Sequence, residues 1–342
     1  MKKIIPVTIA ACLVAVFANG EPKRECNARK HKCEKECRQP MARFGVITDI
    51  HHTNKPDIPS RKYSAALRKT ASFVKTMNNL RADFIIELGD LVDLLAQDKN
   101  PIQNLTEVES LLARFDGPRF HVLGNHEFDN VARNDMLSHI ENTGIPAGNT
   151  WYSFDNHGIH GVVLDADYTV AEPHRPFDLQ DPADPFWNWQ DAWIPQDELD
   201  WLTADLAASD YPTIVFCHQL FHRADTEDHT IKNASVVRSI FENDGQVLAV
   251  FSGHDHRGEI AFINGIHYLV LEGNVGMSLD RPEVSPTEGM HPEKDSPYSL
   301  VEITELKKLQ FDGKATYRIS ITGNAQQYSF EDQIVIKAGN GR

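Results

Sequence analysis

The chain is short of positive charge, of long apolar runs and of internal repetition. Its 34 Lys and Arg residues face 49 Asp and Glu, a formal net charge of −15. The deficit is uneven: residues 1–40 hold 9 basic and 4 acidic side chains, so the other 302 residues carry 25 − 45 = −20. Such a body repels polyanions and shows no basic groove, which argues against general nucleic-acid binding. Beyond the N-terminus no segment is apolar for long enough to span a bilayer, so no membrane span is expected in a mature chain. No repeat period is visible, which excludes a solenoid or propeller.

What is present begins with Met1-Lys2-Lys3, an apolar run from Ile4 to Phe17, and small residues at Ala18 and Gly20. This reads as a secretory signal over residues 1–20, cleaved before Glu21 and exporting the chain to the periplasm or outside the cell. Residues 21–42 form a basic linker carrying Cys26, Cys33 and Cys37, a cluster that suits an oxidising compartment. The competing reading starts the protein at Met41, which would leave it cytoplasmic.

From Arg43 onward the pattern is α/β. Strands are expected at Arg43 to Thr48, Asp83 to Leu88, Phe120 to Leu123, Thr213 to Phe216 and Val247 to Phe251. Helices are expected at Ser60 to Leu80 with Ser60 as N-cap, at Thr106 to Phe115 behind a Thr106–Glu109 capping box, and at Gln196 to Ala208. Trp151 to Phe154 and Ile159 to Leu164 form a hairpin around Asp155-Asn156, and Asn264-Gly265 turns a second hairpin. Tyr298 to Ile303 and Ala315 to Ile321 close a domain spanning 43–325, with 326–342 left as a C-terminal tail. The Asp-, Pro- and aromatic-rich stretch 166–195 is long for a connection and suits a lid.

Five of these strands end in a polar cluster: Asp49-Ile50-His51, Gly89-Asp90-Leu91-Val92-Asp93, Gly124-Asn125-His126-Glu127, His218, and Gly253-His254-Asp255-His256. Ligand sites in α/β sheets gather at carboxyl ends of strands, so these clusters can converge. Hydrolysing a phosphate ester requires charge neutralisation, an activated water and a stabilised leaving oxygen. Two cations about 3.5–4 Å apart supply all three. Such a pair needs a bridging carboxylate and mixed oxygen and nitrogen ligands, the inventory found here.

In this order the five blocks resemble the calcineurin-like metallophosphoesterase superfamily, over about Arg43 to Leu271. The resemblance implies a four-layer α/β/β/α sandwich of two mixed sheets flanked by helices. It implies that Asp49, His51 and His256 bind one divalent metal, that Asn125, His218 and His254 bind the other, and that Asp90 bridges them. His126 would then face the scissile phosphate and assist the leaving group, with Asp93 holding its ring. His222 and Arg61 are candidate substrate contacts.

Phe44-Gly45-Val46-Ile47-Thr48-Asp49-Ile50, Gly124-Asn125-His126-Glu127-Phe128, Leu199-Asp200-Trp201-Leu202 and Leu271-Glu272-Gly273 further resemble the manganese-dependent ADP-ribose/CDP-alcohol diphosphatase branch. That branch carries a glutamine where this chain has His51, a residue typical of phosphodiesterases and phosphatases. The resemblance therefore implies hydrolysis of a small phosphomonoester, phosphodiester or nucleotide diphosphate by a hydroxide held between two metals. Manganese is favoured over iron, zinc or cobalt. A nuclease or protein phosphatase of the same superfamily is the alternative, and a non-catalytic scaffold conflicts with the complete ligand set.

Overall fold

The computed structural model describes residues 39–93, 100–129, 131–179, 188–276, 297–308, 314–323 and 327–335. The expected signal peptide and nearly all of the cysteine-bearing linker lie outside them. The described residues belong to one compact unit, Gln39–Arg342.

Two six-stranded mixed sheets form its centre. The first contains β1 (Ala42–Ile47), β2 (Phe84–Glu87) and β3 (Arg119–His121), with β10 (Ser299–Lys308), β11 (Lys314–Gly323) and β12 (Gln327–Val335) in the order β12-β11-β10-β1-β2-β3. The second contains β4 (Tyr152–Asn156), β5 (Ile159–Val163), β6 (Thr213–Phe216), β7 (Val247–Ser252), β8 (Arg257–Ile263) and β9 (Ile266–Glu272) in the order β4-β5-β6-β7-β9-β8. β1, β2 and β3 run parallel, as do β6 and β7. Each triplet or pair therefore delivers its carboxyl ends to one edge of its sheet.

Period-two alternation builds the layers. Phe44, Phe84, Phe216 and Phe251 point between the sheets into one apolar cluster, where Phe44 and Phe84 stack at 4.6 Å. Ile47 and Ile85 face a second cluster under α1 (Ala66–Leu80) and α2 (Pro101–Leu112). Val215 and Val250 face a third under α4 (Gln196–Ala208) and α5 (Ala234–Asp244). Three apolar interfaces separating four layers make the α/β/β/α sandwich.

Several boundaries differ from the sequence reading. Ser60 caps no helix: a 3₁₀ turn, Tyr63–Ala65, leads into α1. α2 opens at Pro101, whose missing N–H costs nothing at a first turn, and Thr106 sits inside it bonding the Ile102 carbonyl. The first hairpin turns at His157-Gly158, both at positive φ, leaving Asp155 and Asn156 in β4. α3 (Arg133–His139), too short for a clear apolar period, and α5 were not anticipated. The sheet also continues past residue 325: β12 pairs with β11 from Gln327 to Val335, so much of the expected tail is an edge strand.

Candidate metal centre

Four of the expected ligands leave their strands through left-handed backbone: Asp49 (φ 51°), His51 (φ 49°), Asp90 (φ 59°) and His254 (φ 67°). Non-glycine residues rarely occupy this region, and they persist there where surrounding structure enforces it. Part of that enforcement is close packing. A Cβ on Gly253 would collide with Thr48 Oγ1 and lie 2.7 Å from Asp49 Oδ2, so glycine there lets the β7 end reach the β1 end. The His254 N–H then donates to Asp49, 3.2 Å from each carboxylate oxygen.

The expected ligands among the acids and histidines fall into two groups that share one residue, and a third group of possible donors joins His51 to Asp93 and His126. Asp49, His51, Asp90 and His256 form one group, and Asp90, His218 and His254 the other. Asp90 Oδ2 lies 3.5 Å from His51 Nε2 and 3.2 Å from His218 Nε2. A bend takes His254 and His256 to different groups, in place of the strand alternation their spacing suggests.

The remaining polar contacts leave the ligand atoms pointing inward. His218 donates its Nδ1–H to the Leu88 carbonyl at 2.8 Å, which turns the lone pair of Nε2 toward Asp90. His218 Nε2, His254 Nε2 and Asn125 Oδ1 are buried without a directed hydrogen bond among the described residues. His51 Nε2 and His256 Nε2 face each other at 3.1 Å. Two neutral imidazoles cannot both present lone pairs so closely unless a proton or a cation lies between them. Buried carboxylates, imidazoles and an amide oxygen are the donor set of a divalent transition metal, so the residues fit a two-metal centre.

Glu127 fixes the shared ligand: its carboxylate accepts from the backbone N–H groups of Asp90 (3.0 Å), Leu91 (2.5 Å) and Gly124 (2.7 Å). The sequence motif includes Glu127 without assigning it a role. A glutamate three residues after Gly124, reaching back to that N–H, was the available signal.

His126 stands on the 3₁₀ turn Asn125–Phe128, its backbone N–H on Asp90 Oδ1 at 2.9 Å and its side chain about a quarter exposed. Asp93 does not hold its ring. His126 Nδ1 donates to Asp129 Oδ2 at 2.7 Å, while Asp93 Oδ1 is 3.8 Å away. A 3₁₀ turn brings residues i and i+3 into line, so the turn itself selects Asp129. Burial works against charge on His126, but Asp90, Asp129 and Asp93 outweigh it and raise the imidazole to about 9.

Asp93 instead lies 3.4 Å from His51 Nδ1 and pairs with Lys55 and, at 2.6 Å, with Arg61. Burial opposes its charge, yet His51, His126 and Lys55 hold its carboxyl well below the usual range. Arg61 is thus paired with Asp93, with its side chain a quarter exposed. His222 likewise turns to Glu259, 3.1 Å from its Nε2, and Arg223 pairs with Asp255 and Glu259. His52 faces Glu107 at 2.9 Å.

Within the stretch 166–195, residues 180–187, including Phe186 and Trp187, lie outside the described residues. Phe177, Ala192 and Ile194 are buried, and Trp193 stacks on His174 at 4.6 Å. Trp189 approaches the centre, its ring 5.7 Å from that of His254 and 5.2 Å from His229, which itself lies 4.7 Å from His254. The sequence reading did not single out His229, since nothing in its neighbours marks it.

A family model described as calcineurin-like phosphoesterase matches residues 42–258. A manganese-dependent ADP-ribose/CDP-alcohol diphosphatase from Arabidopsis thaliana is 25% identical over 80% of this chain and 98% of its own. A protein of the same name from Danio rerio is 24% identical over 68% of this chain and 88% of its own. Among solved structures, a dimetal phosphatase from Danio rerio superposes with a TM-score of 0.63 at 20% identity, covering 85% of this chain and 99% of that one.

Proposed function

The chain belongs to the calcineurin-like phosphoesterase family, and from that premise we propose that it is a manganese-dependent diphosphatase of small nucleotide-linked substrates. The observation that carries the reading is the single carboxylate, Asp90, common to two groups of buried ligands. The substrate class rests on the diphosphatases to which the chain is similar across most of its length. Asp49, His51, Asp90 and His256 would hold one ion, and Asp90, Asn125, His218 and His254 the other. Bound divalent cations supply charge neutralisation for the phosphoryl oxygens and lower the pKa of water.

The chain's own residues do the rest. Glu127 keeps Asp90 in register, and Leu88 and Asp93 lie behind two ligand imidazoles. With Nδ1 committed to Asp129 and the side chain about a quarter exposed, His126 has Nε2 left to carry its transferable proton. It donates that proton to the departing oxygen as water adds to phosphorus and the bond from phosphorus to that oxygen breaks; the water's own proton passes to solvent, from which His126 is reprotonated.

A substrate panel tests this reading. Chelator-stripped protein should be inactive and should regain activity with manganese, cleaving nucleoside-diphosphate conjugates in preference to monoesters, simple diesters and cyclic nucleotides. A preference for monoesters or simple diesters sinks the diphosphatase reading, and inactivity on every phosphoester sinks the enzyme.

A further inference from the structure

The centre is flanked on the His254 side by two rings to which the chemistry above assigns nothing. Trp189 is half-buried, and its ring contacts both His254 and His229. Their placement is built in. Asn188 folds an Asx turn around Trp189, its side-chain oxygen accepting from Gln190 N–H at 3.1 Å and its carbonyl from Asp191 N–H at 2.8 Å. The following residues are pinned to the segment behind His229: Lys232 N–H donates to the Ala192 carbonyl at 2.7 Å. Asn233 exchanges two hydrogen bonds with the backbone of Ile194, at 3.1 and 2.8 Å. His229 is itself held in left-handed backbone, φ 66°, with its carbonyl accepting from Leu220 N–H at 2.9 Å. Strained backbone at a non-glycine residue beside a ligand is a mark of function.

A metal ligand needs a second partner to orient its ring, but it does not need an indole. A half-exposed indole beside a candidate metal ligand offers an apolar plane, and every nucleobase has a matching π-face. We propose that Trp189, backed by His229, is the face on which the planar base of the substrate stacks, so that this chain selects nucleotide over ring-free phosphates. The inference rests on the diphosphatase reading for its substrate, but it is separable from it by experiment.

Manganese-loaded wild type should bind CMP or AMP more tightly than inorganic phosphate by calorimetry. It should also show a higher kcat/KM on a nucleoside-diphosphate conjugate than on a ring-free alkyl diphosphate. Trp189→Leu keeps apolar bulk without the stacking plane and should reduce both preferences by about 5- to 150-fold, the range of a lost base stack. Trp189→Phe should recover most of each. A preference within twofold of wild type in Trp189→Leu overturns the proposal, as does failure of Trp189→Phe to recover it. Should wild type cleave no nucleoside diphosphate yet bind CMP through Trp189, the diphosphatase reading falls and the base-stacking face stands. Cleavage with preferences indifferent to Trp189 has the opposite meaning.

Discussion

The two sheets contribute unequal chemistry to one centre. The first, through the ends of β1, β2 and β3, supplies both carboxylates of the candidate ligand set, Asp49 and Asp90, with His51, Asn125 and His126. The second, through β6 and β7, supplies only imidazoles: His218, His254 and His256. Their surroundings differ in the same sense. The first side is ringed by charge, with Lys55, Arg61, Asp93, Glu127 and Asp129 in contact with its residues. The second is backed by the Leu88 carbonyl and by the rings of Trp189 and His229, and its charges, Arg223, Asp255 and Glu259, pair with one another beside the histidines. Buried carboxylates require paired charges and hydrogen bonds, whereas neutral imidazoles need only a single acceptor to set their tautomer. Under the proposed function, protons and bridging fall to the charge-ringed first side, and the rings beside His254 are left to meet the substrate.

Removing the one shared residue should have the largest effect. Asp90→Asn should lower occupancy of both metals in elemental analysis and cost more than the about 10²–10⁴-fold that general acid catalysis supplies, since both halves lose a ligand. Retention of both ions at wild-type affinity would falsify its bridging place.

His126→Ala should cost that about 10²–10⁴-fold in kcat while metal content stays normal. Loss of metal in this variant would move His126 into the ligand set.

Smaller effects separate the two supporting aspartates. Asp129→Asn should cost about 10- to 100-fold in kcat with metals retained, and Asp93→Asn should weaken metal affinity on the His51 side by a similar factor. If instead Asp93→Asn altered only kcat, with metal affinity intact, Asp93 would be the residue that orients His126.

The smallest effect concerns stability on the charged side. His121 is buried, with Glu109 Oε2 at 3.1 Å and Glu87 Oε2 at 3.7 Å. Burial opposes its charge, but the two glutamates raise it from 6.5 to about 9. The folded state therefore holds this proton more tightly than the unfolded chain. Its stabilisation is complete below pH 6.5 and is lost as pH rises through about 9. Urea midpoints should decline over that window in wild type and be flatter in His121→Gln. Equal slopes would show that the cluster is not the source.

Much of this was legible in advance because strand ends carry their own markers. An apolar run closing on Asp-x-His, Gly-Asp or Gly-Asn-His announces both the strand and a polar group released from it. What escaped was local geometry. Asp129 became the partner of His126 because a 3₁₀ turn, with three residues per turn, aligned them. For Arg61 and His222, candidate substrate contacts from the sequence, the partners Asp93 and Glu259 lie 32 and 37 positions away. β12 escaped because an edge strand interrupted by Glu331-Asp332 reads as a tail until β11 is there to pair with it.

By itself, then, the sequence determined the elements of the centre: which strands end in oxygen or nitrogen donors, in what order, and with glycines where chains must approach closely. Only the tertiary structure decided that Asp90 stands between His51 and His218, that Asp129 displaces Asp93 at His126, and that Trp189 and His229 border His254. The physical reason is that donor chemistry belongs to single residues, while sharing, pairing and walls depend on distances across the interface between two sheets, which an apolar core of Phe44, Phe84, Phe216 and Phe251 sets.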